Sequence, residues 1–160
     1  MQYDFRWQTP NLKRIGWDDL VVGWERTWDM PITLDAVGWY ADLSEDPNPW
    51  YGALGSPWGA PVAPPLLMSR LCFRITDPLG KMIGFLNTWN RTETLAPALV
   101  GTMARFHGRI SEKFERKGRR YVRYVIDVND AETGRALLHE EKEYVVAPST
   151  GEKNAGEKTA

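Results

Sequence analysis

Cysteine is nearly absent from this chain. Cys72 stands alone, which excludes an intrachain disulfide framework and any cysteine-rich metal site. Histidine is scarce too. His107 and His139 have no partners at metal-ligand spacing, so no metal is predicted. Charge of one sign is lacking: the net charge of −1 gives no electrostatic reason to expect nucleic acid or an anionic membrane as partner. No run of about 18 apolar residues occurs, so no bilayer-spanning helix is predicted. Met1 to Pro10 mixes polar and aromatic residues instead of placing an apolar run after a charged start, and the expected compartment is the cytoplasm. Asn90-Arg91-Thr92 matches a glycosylation acceptor but has no secretory signal to give it meaning. There are no internal repeats.

What the chain does have is proline, concentrated in one place. Six of its 11 prolines (Pro47, Pro49, Pro57, Pro61, Pro64 and Pro65) fall between Asp46 and Leu67. Proline fixes φ and removes a donor, so this stretch is neither helix interior nor central strand. A long stiffened loop inside a 160-residue domain points to a working role. Trp50, Tyr51 and Trp58 lie in it, and the nearly apolar run from Leu66 to Ile75 follows. The pattern predicts a shaped loop that walls a pocket and feeds a buried helix.

The length suits one domain with a real core, and 42% hydrophobic with 26% charged residues is ordinary for a globular protein. Alternation from Trp24 to Met30 predicts a first strand. Thr33 is a good N-cap for a helix over Leu34 to Leu43, with Leu34, Val37 and Ala41 on one face. Trp50 to Leu54 is expected to make a helical turn stopped by Gly55. Pro64-Pro65 suits the start of a second helix, running to about Thr76, apolar on most of its circumference. Beyond it the period becomes two. Strands are predicted at 83–90, 102–114, 121–129 and 136–146, with turns at Lys117-Gly118 and Asp130 to Gly134. Ala104, Phe106, Gly108 and Ile110 share one parity, as do Val122, Tyr124, Ile126 and Val128. Residues 1–17 read as an aromatic arm packed on the body, 1–146 as one domain including that arm, and 147–160 as a disordered tail. The fold class is α+β: an antiparallel sheet curled around one long central helix.

Those elements in that order resemble the hot dog fold, and the proline loop resembles the MaoC-like hydratase/dehydratase family. That family's pattern runs roughly G-D-x-N-P-x-H, a spacer, then F-G-x-x-[IV]-A-H-G-M-L. Here Glu45-Asp46-Pro47-Asn48-Pro49-Trp50-Tyr51 stands in the first block and Trp58-Gly59-Ala60-Pro61-Val62-Ala63-Pro64-Pro65-Leu66-Leu67 in the second. The resemblance covers about residues 15 to 146. It implies an acyl thioester as ligand, hydrated as a trans-2-enoyl or dehydrated as an (R)-3-hydroxyacyl group. Coenzyme A or acyl carrier protein would be part of that substrate, with no separate cofactor. Such chemistry needs a base for water and donors for the thioester oxygen.

Carried over by position, the resemblance makes Asp46 and Tyr51 the catalytic pair. It makes Asn48, Trp50, Trp58, Gly59, Val62, Ala63 and Pro65 the substrate-binding set. Two departures stand out. Tyr51 occupies the family's histidine position, and a phenol with an ordinary pKa near 10 is a poor base. Pro65 occupies the position of the glycine whose N–H polarises the carbonyl, and proline has no N–H. The same pair of changes is similar to substrate-holding subunits of heteromeric members. It implies a homodimer or a heterodimer with a second hot dog subunit.

Blander readings stand beside these. Asp46 is either an acid/base or a cap on its own loop, and Trp50 and Trp58 are either pocket wall or core. His107, between Arg105 and Arg109 on one strand parity, is a replacement base or a solvated sheet residue. His139, among Glu140, Glu141 and Glu143, reads as part of a solvated face. Arg70 and Arg74, and Lys117, Arg119 and Arg120 at a hairpin tip, read as solvated charge before phosphate contacts, and Cys72 as a small core hydrophobe. Two other functions remain open: a non-catalytic binding or stabilising module, and a hot dog thioesterase.

Overall fold

The structure, a computed structural model, describes residues 13–52, 54–82 and 84–147. The arm before Lys13 and the tail after Ala147 lie outside the described residues. Among the described residues, seven strands and two α-helices follow one another as β1 (Arg14–Ile15), β2 (Glu25–Pro31), α1 (Leu34–Ser44), α2 (Pro65–Cys72), β3 (Lys81–Met82), β4 (Phe85–Thr94), β5 (Met103–Arg116), β6 (Arg119–Asp130) and β7 (Ala136–Val146). β1 and β3 form a short parallel pair, and the other five strands form one antiparallel sheet in the order β2-β5-β6-β7-β4.

Local chemistry explains the meander. Lys117 and Gly118 both take positive φ, 53° and 72°, which suits the twist of a two-residue hairpin. The Asp130 carboxylate accepts the Glu132 and Thr133 amides at 2.9 and 3.0 Å and folds the next turn. The alternation then does what it predicts. Ala104, Phe106 and Ile110 on β5, and Val122, Tyr124, Ile126 and Val128 on β6, are at most 1% exposed. They face α2, whose Leu67, Met68, Leu71 and Cys72 are buried. Gly108 marks the closest approach, because a Cβ there would stand 2.6 Å from Ile75 Cδ1. On β2, Trp28 stacks on Phe106 at 5.1 Å, and Arg26 Nη1 donates to the Arg74 carbonyl at 2.6 Å.

Several local expectations need correction. The central helix is α only to Cys72 and continues as a 3-10 turn over Phe73–Thr76. Helix α1 buries Ala36 and Val37, while Leu34 is exposed; the face is turned by one residue from the i, i+3, i+7 reading. The turn after Asn48 covers Pro49–Tyr51 and stops at Gly52, because Asn48 caps it and Pro49 starts it. The strand expected over 83–90 is β4, which starts at Phe85 after Gly84 with φ 55° and runs on to Thr94; β3 lies before it. Most consequential is β7. Glu140 and Glu143, expected on a solvated face with His139, are 0% and 3% exposed. Glu143 is covered on the outer side of the sheet by Arg116 and Arg123, at 2.9 and 3.0 Å. Glu140 points inward.

His139 sits half-buried on the outer side, its Nδ1 2.7 Å from Asp127 Oδ1. That hydrogen bond raises the imidazole pKa above its ordinary value, with the Glu141 charge adding to it. A pKa raised on folding stabilises the protein below the unfolded value near 6.5, and the gain is lost as pH rises through the folded value. Wild-type stability relative to Asp127→Asn is therefore expected to fall as pH rises from about 6 through that range. Urea unfolding at a series of pH values reads the change. For a pair this exposed it amounts to about 0.2–1 kcal/mol.

Candidate active site

The site is built by the proline loop and the helix ends on either side of it. Helix α1 starts at Thr33, whose Oγ1 accepts the Ala36 amide at 3.2 Å. It ends at Glu45 in the left-handed region with φ 51°, and the Asp46 amide returns to the Ala41 carbonyl at 3.0 Å. Asp46 Oδ1 accepts the Asn48 amide at 3.2 Å, and Asn48 Oδ1 accepts the Trp50 amide at 3.0 Å. Two side chains thus fold the lip in succession. The Val62 amide bonds to the Trp50 carbonyl at 2.9 Å and ties the return of the loop to its outward run. Val62 also bridges Leu99, while the Ala63 amide bonds to Ala98 at 2.7 Å and the Val100 amide to Pro61 at 2.8 Å. The prolines fall where no donor is needed, so the stretch is stiff and bonded.

Three of the expected residues come together. Tyr51 is half-buried against the core, and its hydroxyl lies near enough to the Asn48 and Asp46 side chains for both to act on it. Burial first, and then the Asp46 carboxylate, push the phenol above its ordinary pKa. Tyr51 is therefore a proton donor at neutral pH and not a base. Asp46 is exposed, with one oxygen occupied in its own loop. Pro65 is the first residue of α2 and is exposed; the first amide this helix presents is that of Leu66. Trp50 and Trp58 are neither deep core nor enclosed wall. They meet edge to face at 5.4 Å and are 43% and 49% exposed. Gly59 is exposed in a turn with φ 86°, Val62 is held in its bridge, and Ala63 is core.

The other candidates lie elsewhere. His107 faces outward from β5, between the inward Phe106 and Gly108, 3.5 Å from Glu25. The sheet separates it from the concave side. Arg70 lies over the Trp39 ring at 5.5 Å, and Arg74 pairs with Asp77 at 2.8 Å. Arg120 sits between Asp18 and Glu115 at 3.6 and 3.4 Å. Burial pushes the Cys72 thiol far above its ordinary value, which keeps it an inert hydrophobe. Among the described residues no group of three or more His, Cys, Asp or Glu could hold a metal ion, and no helix is long and apolar enough to cross a membrane.

Sequence reasoning missed one cluster. Ser69 Oγ donates to Glu140 Oε1 at 2.9 Å, and Lys142 Nζ donates to Ser69 Oγ at 3.0 Å. Serine beside lysine is a nucleophile–base arrangement in some hydrolases. Here Ser69 is 6% exposed, and Glu140 Oε1 holds both the Ser69 hydroxyl and Lys142 Nζ, at 2.9 and 3.2 Å. The signal was present in the sequence, because Glu140 and Lys142 share the parity of Tyr144 and Val146. A cavity of about 10 Å³ beside Lys142, lined also by Cys72, Phe73, Tyr124 and Tyr144, has room for one water and none for an acyl chain.

No protein-family model matches the sequence, and no curated protein matches it. Solved structures do match. An unliganded (R)-hydratase from Pseudomonas aeruginosa superposes with a TM-score of 0.70 at 18% identity, over 84% of this chain and 86% of the other. The 3R-hydroxyacyl-ACP dehydratase complex from Mycobacterium tuberculosis gives 0.65 at 15%, over 79% and 96%. A hot-dog-like protein from Thermanaerovibrio acidaminovorans gives 0.58 at 14%, over 83% and 87%. The chain has the hot dog fold. In hot dog terms α2 is the sausage, the five-stranded sheet is the bun, and the proline lip closes one end of the helix.

Proposed function

We propose that this hot dog chain holds an acyl thioester within an (R)-specific enoyl-thioester hydratase or 3-hydroxyacyl-thioester dehydratase assembly of the MaoC-like kind, as a substrate-binding subunit or variant active site. The observation that carries the reading is the clustering of Asp46, Asn48 and Tyr51 on one lip at the start of the central helix. Asp46 offers a carboxylate and Tyr51 a proton. The base suited to water is absent from the lip, and a second hot dog unit supplies it. Two further features support the partner. Phe85, Leu86 and Trp89 on the edge strand β4 are 38%, 62% and 43% exposed, as is Leu66 on α2 at 61%. A ten-residue edge strand with three large apolar side chains in the open is suited to a cover. The acyl group would lie beside α2 in space that the second unit completes. Coenzyme A or a carrier protein enters as part of the substrate, and the assembly works in the cytoplasm.

The rival is a binding module with no chemistry, favoured by the use of Asp46 Oδ1 as a loop cap. Incubating the purified chain with crotonyl-coenzyme A separates them. Binding with slow hydration that Asp46→Asn abolishes is the expected result. Binding with no hydration, whether the chain is alone or joined by a histidine-bearing hot dog chain, selects the module. Release of free thiol selects a thioesterase, and absence of binding overturns the thioester reading.

A further inference from the structure

From Ala104 to Ile110 on β5 and from Val122 to Val128 on β6, the side chains facing α2 are apolar. Strand β4 departs from this. Its register with β7 sets Asn87 beside Tyr144, Asn90 beside Lys142, Thr92 beside Glu140 and Thr94 beside Leu138, all on the helix side of the sheet. Leu86, beside Val145, and Trp89, beside Glu143, face out and are 62% and 43% exposed. A strand that served only as the back of an oily slot would carry its apolar residues on the other face.

Helix α2 turns Ser69 and Phe73 toward this polar face, with Leu66 one turn before Ser69. Ser69 Oγ and Thr92 Oγ1 donate to the two oxygens of Glu140, each at 2.9 Å. Phe73 meets Phe85 of β4 at 5.0 Å and Tyr144 at 5.4 Å. Helix and edge strand therefore bound a strip with an apolar start at Leu66, a polar middle at Ser69, Asn90 and Thr92, and an aromatic end. Its start is the proline lip, because the Ala63 amide bonds to the Ala98 carbonyl just beyond β4.

We propose, resting on the thioester reading of the lip, that the acyl group taken by this chain carries a hydroxyl near its sixth carbon, bound by Asn90 and Thr92. The proton of the Thr92 hydroxyl is committed to Glu140, so Oγ1 is left as an acceptor. Asn90, exposed on the strip, offers an amide donor and acceptor. A hydroxyl, which both donates and accepts, satisfies the two together; a carbonyl satisfies Asn90 alone. A carboxylate would meet the Glu140 charge behind Thr92, and an ammonium the Lys142 charge behind Asn90, so the match is a neutral group. The position follows from the helix. Ser69 lies four residues after Pro65, about 6 Å along the axis, the reach of roughly five carbon–carbon bonds. A plain alkyl chain of that length would strip water from Asn90 and Thr92 and return nothing.

Calorimetric titration of the full chain with hexanoyl-coenzyme A and with 6-hydroxyhexanoyl-coenzyme A tests this. The hydroxylated thioester is expected to bind about ten-fold more tightly. Asn90→Leu, at an exposed position that the fold does not depend on, is expected to remove the difference by weakening the hydroxylated ligand and strengthening the plain one. Equal binding of the two by the wild type, or tighter binding of hexanoyl-coenzyme A, overturns the proposal and leaves the thioester reading standing. A preference that survives Asn90→Leu also overturns it. Binding of neither overturns the proposal and the thioester reading together.

Discussion

Tyr51→His combined with Pro65→Gly is expected to raise crotonyl-coenzyme A hydration by the isolated chain about a hundred-fold or more. The size comes from the usual worth of one oxyanion donor, about a hundred- to a thousand-fold in rate. Histidine at position 51 would sit beside the Asp46 carboxylate that now meets the Tyr51 hydroxyl, so a base and its orienting partner would stand together. Glycine at position 65 restores an N–H at the first residue of α2, where the helix dipole favours developing negative charge. Each change alone should do much less, because a base without an oxyanion donor, or the reverse, leaves the unit incomplete. Loss of enoyl-thioester absorbance measures the rate. No gain would mean that the lip has been reshaped for holding and that its chemistry resides in a second chain.

Glu140→Ala is expected to destabilise the chain by about 3–5 kcal/mol, measured as a lowered urea midpoint with an unchanged slope. The substitution leaves the Lys142 ammonium in a core where it is 7% exposed, with no counter-charge. It also removes the acceptor of the Ser69 and Thr92 hydroxyls. The apolar pair Glu140→Leu with Lys142→Met should cost far less, because no charge is then left buried alone. The contrast separates the penalty of an orphaned ion from the loss of packing.

The sheet was legible because its signals are local. Strand β7 was readable as 136–146 from alternation after a glycine-ended turn, and Lys117-Gly118 announced its hairpin through residues that tolerate positive φ. The bonds that fold the lip join residues two apart, Asp46 to Asn48 and Asn48 to Trp50, so its shape is written locally in the sequence. Whatever depended on a distant partner was not. Three glutamates around His139 read as solvated because composition outweighed parity, yet Glu140 faces a serine 71 residues away. The pitch change at Cys72 has no local signature in the sequence. Leu34 looked like the inner face of α1, but where that helix rests on the sheet decides which side is inner.

The proline lip bears on the unfolded chain as much as on the folded one. Each proline that fits its native φ removes freedom from the denatured ensemble and stabilises the ordered loop by roughly 0.4–1 kcal/mol. With six of them between Asp46 and Leu67, the entropy of shaping this mouth is largely settled when the domain folds. A guest that docks there meets a preorganised rim and loses little affinity to ordering it.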